Sequence, residues 1–199
     1  MIFSVVVTAF VLVAPVELPD KTMFATLVLA SRFRPLPVLT GVAAAFALQA
    51  AIAVAAGSLL SLLPREWVAL GVAVLFAVGA ILLWRSADEG PETGNDAVTE
   101  DRDWPAWRIV LASFGITFLA EWGDLSQLAT AGLAARYDAP LSVFVGAFAA
   151  LLLVACLAVF VGAKLVTRLP VRLVRRSAAV LFAAFAVLAA YEAVTAFLA

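Results

Sequence analysis

Long apolar segments separated by short polar ones dominate this chain. Six of them approach or exceed the ~20 residues that a helix needs to cross a hydrocarbon layer about 30 Å thick. They lie near Ile2 to Ala30, Leu36 to Leu63, Trp67 to Trp84, Ala106 to Ala135, Pro140 to Val166 and Val171 to Leu198. The pattern predicts an all-α membrane protein with six transmembrane helices.

The two halves of the chain resemble each other. A shift of 104 positions sets ELPDKTMFATLVLASR on EWGDLSQLATAGLAAR, and it matches Glu17 with Glu121, Asp20 with Asp124, Ala25 with Ala129, Thr26 with Thr130 and Arg32 with Arg136. Shifts of 105 and 106 match Gly41 with Gly146, Gly57 with Gly162, and AVLFA at 73–77 with AVLFA at 179–183. Because three crossings reverse the direction of a chain, such repeats must be inverted relative to each other. We therefore expect two inverted three-helix repeats, at residues 1–85 and 105–199.

The segment at residues 86–104 is predicted to be an acidic cytoplasmic linker. It contains Asp88, Glu89, Glu92, Asp96, Glu100, Asp101 and Asp103. A solvated tether is a simpler interpretation than a segment that gathers divalent cations.

The basic residues predict the orientation. If the loops alternate sides, one side receives Arg32, Arg34, Arg85, Arg102, Arg108, Lys164, Arg168, Arg172, Arg175 and Arg176, and the other receives only Arg65 and Arg136. The positive-inside rule then places the linker in the cytoplasm and both termini outside, and we expect a multi-pass protein of the plasma membrane. No basic leader precedes the first apolar segment, so we do not expect a cleaved signal peptide.

Composition supports the membrane class and narrows the chemistry. Hydrophobic residues make up 65% of the chain and charged residues 14%. The chain has no histidine, and Cys156 is its one cysteine, which excludes histidine-dependent hydrolases, thiolate clusters and an intrachain disulfide.

The charged residues of the first apolar segment are expensive to bury. At helical spacing Glu17, Asp20 and Lys21 share one face, and Glu121 and Asp124 are expected to share a face of the fourth helix. Each charge at the centre of a membrane helix costs roughly 2.5 to 3.5 kcal/mol on insertion scales. These side chains are therefore predicted to face one another, neutralised by a divalent cation or by protons.

The candidate donors form an all-oxygen metal site. The predicted ligands are Glu17, Asp20, Thr22, Glu121, Asp124, Ser126 and Gln127, with Lys21 as a counter-charge and Gln49 and the carbonyls of Val11 and Pro15 as auxiliary ligands. The two carbonyls enter because Pro15 and Pro19 lack N–H groups and kink the helix, and Gly123 permits a similar bend in the second half. Oxygen donors suit Mn²⁺, Ca²⁺ or Mg²⁺.

The motifs ELPDKT and EWGDLSQ resemble the duplicated ExGD[KR][ST] signature of the Golgi-type calcium/manganese:proton antiporters and their bacterial manganese-exporting relatives. The resemblance covers both motifs, the six-helix count and the acidic linker. It implies export of Mn²⁺, and of Ca²⁺ as a second substrate, in exchange for protons. Pro19, Leu125 and Met23 depart from the pattern, which leaves ion preference and proton stoichiometry open.

Two other functions are compatible with paired carboxylates. An exporter of basic amino acids or other organic cations would use them to hold an ammonium or guanidinium group. A membrane hydrolase would use Asp20 and Asp124 as acid and base, but the lack of histidine and of arginine away from the interfaces argues against an enzyme.

We expect no resident cofactor and no nucleic-acid partner. Divalent cations, protons and the bilayer are the expected partners, and the oligomeric state is open.

Overall fold

A computed structural model describes residues 1–18, 21–86, 104–161 and 171–198. These residues form α1 (Phe3–Glu17), α2 (Lys21–Arg32), α3 (Pro35–Leu60), α4 (Arg65–Ser86), α5 (Ala106–Ala120), α6 (Leu125–Arg136), α7 (Pro140–Cys156), a π-helical turn (Leu157–Val161) and α8 (Val171–Leu198). Most of the acidic linker lies outside the described residues.

Several of these helices are long and apolar enough to cross a membrane, so the chain is a multi-pass membrane protein. Four qualify by themselves in the described ranges: α3, α4, α7 with its π-helical turn, and α8. Together α5 and α6 make a fifth candidate span, although their axes are bent by 74°. The predicted span near residues 2–30 consists of two helices, α1 and α2, on either side of residues 19–20, which the structure does not describe. The count of six spans therefore stays a prediction.

The largest helix contacts pair α4 with α8, α1 with α7, and α3 with α5. At the α4–α8 contact, Phe76 and Phe182 are fully buried, and their ring centroids lie 5.1 Å apart in an edge-to-face arrangement. These two residues are the matched phenylalanines of the two AVLFA segments. The corresponding positions of the two halves therefore pack directly against each other.

Glycines allow the other two contacts to be close. A Cβ atom at Gly41 would overlap the carbonyl oxygen of Val110 and lie 2.9 Å from the Cβ of Ser113. A Cβ atom at Gly146 would meet the carbonyl of Val6 and lie 2.8 Å from the Cβ of Ala9, at positions 104 residues before Val110 and Ser113. The α3–α5 and α1–α7 contacts thus have corresponding local geometry, in which helix backbones touch without an intervening side chain.

A wide cavity of about 730 Å³ opens at the end of the bundle where α6 and α8 finish. Arg136 donates a hydrogen bond of 2.7 Å to Oε1 of Glu192 across this cavity. Arg136 ends α6, so it lies twelve residues, or about 18 Å of helix, from Asp124. The ion pair joins two helices far from the predicted metal ligands.

Candidate metal centre

A sharp bend at residues 121–124 separates α5 from α6. The N–H of Glu121 still donates to the carbonyl of Thr117 at 3.1 Å, and the N–H of Asp124 then turns back to the carbonyl of Glu121 at 3.2 Å. Between them Gly123 has φ +80°, which L side chains rarely adopt. The two residues therefore do not share one face of a single helix as predicted, because the bend that the sequence predicted at Gly123 ends α5 and lets α6 start in a new direction.

Asp124 is the N-cap of α6. Its carboxylate accepts a 3.4 Å hydrogen bond from the N–H of Ser126, so it occupies the electropositive end of the helix. The Oε1 atom of Gln127 accepts a 3.1 Å bond from the N–H of Gly123 and closes the turn. The motif EWGDLSQ thus builds the bend with the same side chains that the sequence proposed as ligands.

Three carboxyl groups meet at the bend. Glu17 ends α1, and it offers a carboxylate oxygen that lies within 4.8 Å of one from Glu121 and one from Asp124. Glu17 is 1% exposed and Glu121 is 3% exposed. At that separation two unit charges repel by roughly 3 kcal/mol even at an effective dielectric constant of about 20. A cation or protons that reduce the negative charge would stabilise such a group.

A small cavity of about 10 Å³ lies beside Glu121, with room for about one water. It is lined by Phe46, Gln49, Ala50, Ala53, Glu121, Ser126, Gln127, Thr130 and Leu151. Gln49 is buried, and its Nε2 atom donates a 3.0 Å hydrogen bond to the carbonyl of Phe118, in the last turn of α5. Gln49, predicted only as an auxiliary ligand, thereby connects α3 to the helix end that carries Glu121.

The structure describes only part of the predicted ligand set. Asp20 and Pro19 lie outside the described residues, and Lys21 and Thr22 begin α2 with side chains that are not described. Val11 is 44% exposed and Pro15 is half-buried within α1. The predicted roles of Asp20, Thr22, Val11 and Pro15 as ligands and of Lys21 as a counter-charge stay predictions.

Thr130 is a residue of this region that the sequence did not select as a ligand. Its buried hydroxyl donates a 2.7 Å hydrogen bond to the carbonyl of Ser126, and the residue lines the cavity beside Glu121. The available signal was its match with Thr26 in the first half, which is also buried.

The backbone of Gly123 provides a direct test of the bend. No atom lies within 4 Å of a Cβ built on this residue, so Gly123→Ala perturbs only the backbone conformation. A left-handed conformation costs an L residue roughly 1 to 2 kcal/mol, so we expect a lower Tm and weaker metal transport. Gly123→Asn should lose less, because asparagine tolerates this conformation. Gly115→Ala is the control, since it too meets nothing within 4 Å but lies inside α5. Equal thermal stability of the two alanine variants would contradict this account of the bend.

Comparison with known proteins identifies the family of this chain. The family description "Divalent cation/proton antiporter GDT1" matches residues 5–91 and 109–197, one segment in each half. GDT1-like protein sll0615 of Synechocystis sp. is 34% identical over 185 residues, which cover 86% of this chain and 89% of that protein. A Vibrio cholerae protein named "Putative manganese exporter" is 33% identical over 196 residues, covering 96% of this chain and 92% of its own length.

GDT1-like protein 5 of Oryza sativa subsp. japonica is 30% identical over 204 residues, which cover 86% of this chain and 88% of the rice protein. No solved structure matches the chain significantly. The family match covers both acidic motifs and most of every described helix. This chain therefore belongs to the GDT1 family of divalent cation/proton antiporters, and it is a transporter rather than an enzyme.

Proposed function

We propose that this protein exports Mn²⁺ from the cytoplasm, with Ca²⁺ as a second substrate, and takes up protons in exchange by alternating access. The observation that carries the proposal is the meeting of Glu17, Glu121 and Asp124, whose carboxylate oxygens come within 4.8 Å of one another from three different helix boundaries. A site at the junction of broken helices is the usual location of an ion site in secondary transporters.

The donor chemistry supports a hard divalent cation. The three described carboxyl groups, the hydroxyl of Ser126 and the amide of Gln127 offer oxygen ligands, and Asp20 and Thr22 would complete the set from the first motif. Mn²⁺ and Ca²⁺ accept such donors, whereas zinc and copper favour the nitrogen and sulfur ligands that this chain scarcely offers. The name of the Vibrio cholerae relative favours Mn²⁺ between the two.

Charge explains why metal and protons would exchange. The carboxyl groups repel one another when the site is empty, and either a divalent cation or added protons relieves the repulsion. A site that holds one or the other, and is costly to leave empty, couples the two fluxes. Lys21 would supply a tethered positive charge. This charge would limit the repulsion among the carboxyl groups while the site is empty, between its metal-bound and its protonated states.

The proposed architecture is two inverted three-helix repeats, residues 1–85 and 105–199, with the linker at 86–104 between them. It is supported by the corresponding contacts of Gly41 and Gly146, by the contact of the matched Phe76 and Phe182, and by a family match in each half. The distribution of basic residues supports a cytoplasmic linker and external termini, in the plasma membrane.

Ion flux in proteoliposomes tests the function. With an imposed pH gradient, we expect Mn²⁺ to move against the proton flow, Ca²⁺ to compete with it, and a protonophore to abolish the accumulation of metal. Mg²⁺ is the third metal in the comparison, and liposomes carrying Glu121→Gln protein are the matched control. Metal movement indifferent to the pH gradient would contradict the exchange. Uptake of lysine or arginine that Mn²⁺ cannot inhibit would instead indicate an exporter of organic cations.

A further inference from the structure

The α3–α5 and α1–α7 contacts correspond in position but differ in polarity. In the first contact, α3 and α5 run in the same direction, since Gly41 lies against Ser113 and Gln49 bonds to Phe118 further along both helices. In the second, Gly146 of α7 lies against Ala9 of α1. Each contact leads along its helices to one glutamate of the cluster.

Along α5, one face carries Ser113, Thr117 and Glu121, spaced four residues apart. All three are buried, and the facing helix contributes Gly41 and then Gln49 two turns later. A row of hydroxyl groups thus runs from the glutamate toward the end of the bundle at which α3 and α5 begin.

Along α1, the corresponding face carries Ala9, Val13 and Glu17, which are buried to the same degree. The position of α7 that matches Gln49 under the 105-residue shift is Val154, which packs with Met23 and Leu18 around the end of α1. Between Ala9 and Glu17 this face therefore has no hydroxyl group.

Packing alone does not call for the hydroxyl groups on α5. Serine differs from alanine by one oxygen, and threonine has the shape of valine, so the α1–α7 contact shows that apolar side chains of these sizes fit this geometry. Ser113 is 0% exposed, and its Oγ atom has no hydrogen-bond partner among the described residues. A buried hydroxyl without a partner is unfavourable, and water or a cation that reached it in another state of the protein would satisfy it.

We propose that the α3–α5 contact is the hydrated route by which the metal ion passes between the carboxylate cluster and the membrane face at which α3 and α5 begin. Ser113 and Thr117 supply oxygens to the ion as it exchanges water for protein ligands, and the apolar α1–α7 contact is the drier seal on the opposite route. Ile109, one turn before Ser113, is buried and closes the route in this conformation, so α5 must move away from α3 to open it. This inference rests on the proposed function and adds the path of the ion.

Accessibility of introduced cysteines tests the route without measuring transport. In full-length protein carrying Cys156→Ala, Ser113→Cys and Thr117→Cys should react with a membrane-impermeant methanethiosulfonate faster than Ala9→Cys and Val13→Cys. The reaction should come from the side that carries the linker, and Mn²⁺ should slow it. Equal or faster modification of the two α1 positions would overturn the proposal.

Shape-preserving substitutions give a second test. The double variant Ser113→Ala, Thr117→Val gives α5 the apolar face that α1 has, so it should fold. When Mn²⁺ is supplied from the linker side, the KM for Mn²⁺ should rise roughly three- to tenfold. The control, Thr195→Val, removes an exposed hydroxyl that bonds only within α8 and should leave KM unchanged. An unchanged KM in the double variant, in protein whose parent still exchanges Mn²⁺ for protons, refutes the route alone. Failure of the parent to exchange them refutes the proposed function.

Discussion

Glu121→Gln is expected to abolish the proposed Mn²⁺/H⁺ exchange while the protein stays folded in the membrane. Glutamine keeps the size and most of the hydrogen-bonding capacity of glutamate, but it removes a charge that lies within 4.8 Å of two other carboxylates. Because those charges repel one another, the metal-free variant should be at least as heat-stable as the parent protein. It should also lose the stabilisation that bound Mn²⁺ gives, since a ligand raises stability only as far as it binds the folded state.

The same result is expected of Glu17→Gln and Asp124→Asn, because in the proposed site the three carboxyl groups act on one ion. Asp138→Asn is the matched control, since Asp138 is an exposed carboxylate between α6 and α7. Growth of a manganese-sensitive cell in excess Mn²⁺, together with the amount of protein in its membranes, measures the effect. Full resistance in any well-expressed variant of the three would remove that residue from the proposed site.

Among substitutions that add a single methyl group to the α1–α7 contact, Gly146→Ala is expected to lower the stability of the protein most. The new Cβ would collide with the carbonyl oxygen of Val6 and lie 2.8 Å from the Cβ of Ala9, and a helix backbone cannot turn aside as a flexible side chain can. Separating α1 from α7 to make room should cost about 1 to 3 kcal/mol, as overpacking of a core commonly does. It would also displace Glu17 at the end of α1.

Gly71→Ala is the control for this substitution. A Cβ at Gly71 meets nothing within 4 Å, and alanine is the better helix former by roughly 1 kcal/mol, so the two variants should differ in the sign of their effect. Thermal unfolding of the purified proteins in detergent measures both. If Gly146→Ala proved as stable as Gly71→Ala, the close approach of α1 to α7 would not be a feature of the folded protein.

Hydropathy predicted some helices closely and missed the form of others. The last apolar segment, Val171 to Leu198, coincides with α8, because uninterrupted hydropathy determines where a helix can lie in a bilayer. In the fourth segment, hydropathy carries no sign of the 74° bend between α5 and α6. That bend depends on the positive φ of Gly123 and the N-cap of Asp124, which are backbone features that hydropathy does not encode.

By itself, the sequence determined that this is a multi-pass helical membrane protein, with acidic residues repeated at matched positions, and its motifs indicated the family. These properties follow from composition and spacing, because burying a charge in lipid is costly whatever tertiary structure the chain adopts. Only the tertiary structure decided that Glu17, Glu121 and Asp124 meet from three helix boundaries, and that Gln49 is hydrogen-bonded to the last turn of α5. It also decided that one of two corresponding helix contacts contains buried hydroxyl groups while the other is apolar. The physical reason is that distances between residues far apart in the chain depend on how helix backbones approach each other, and glycine contacts at 41 and 146 set that approach.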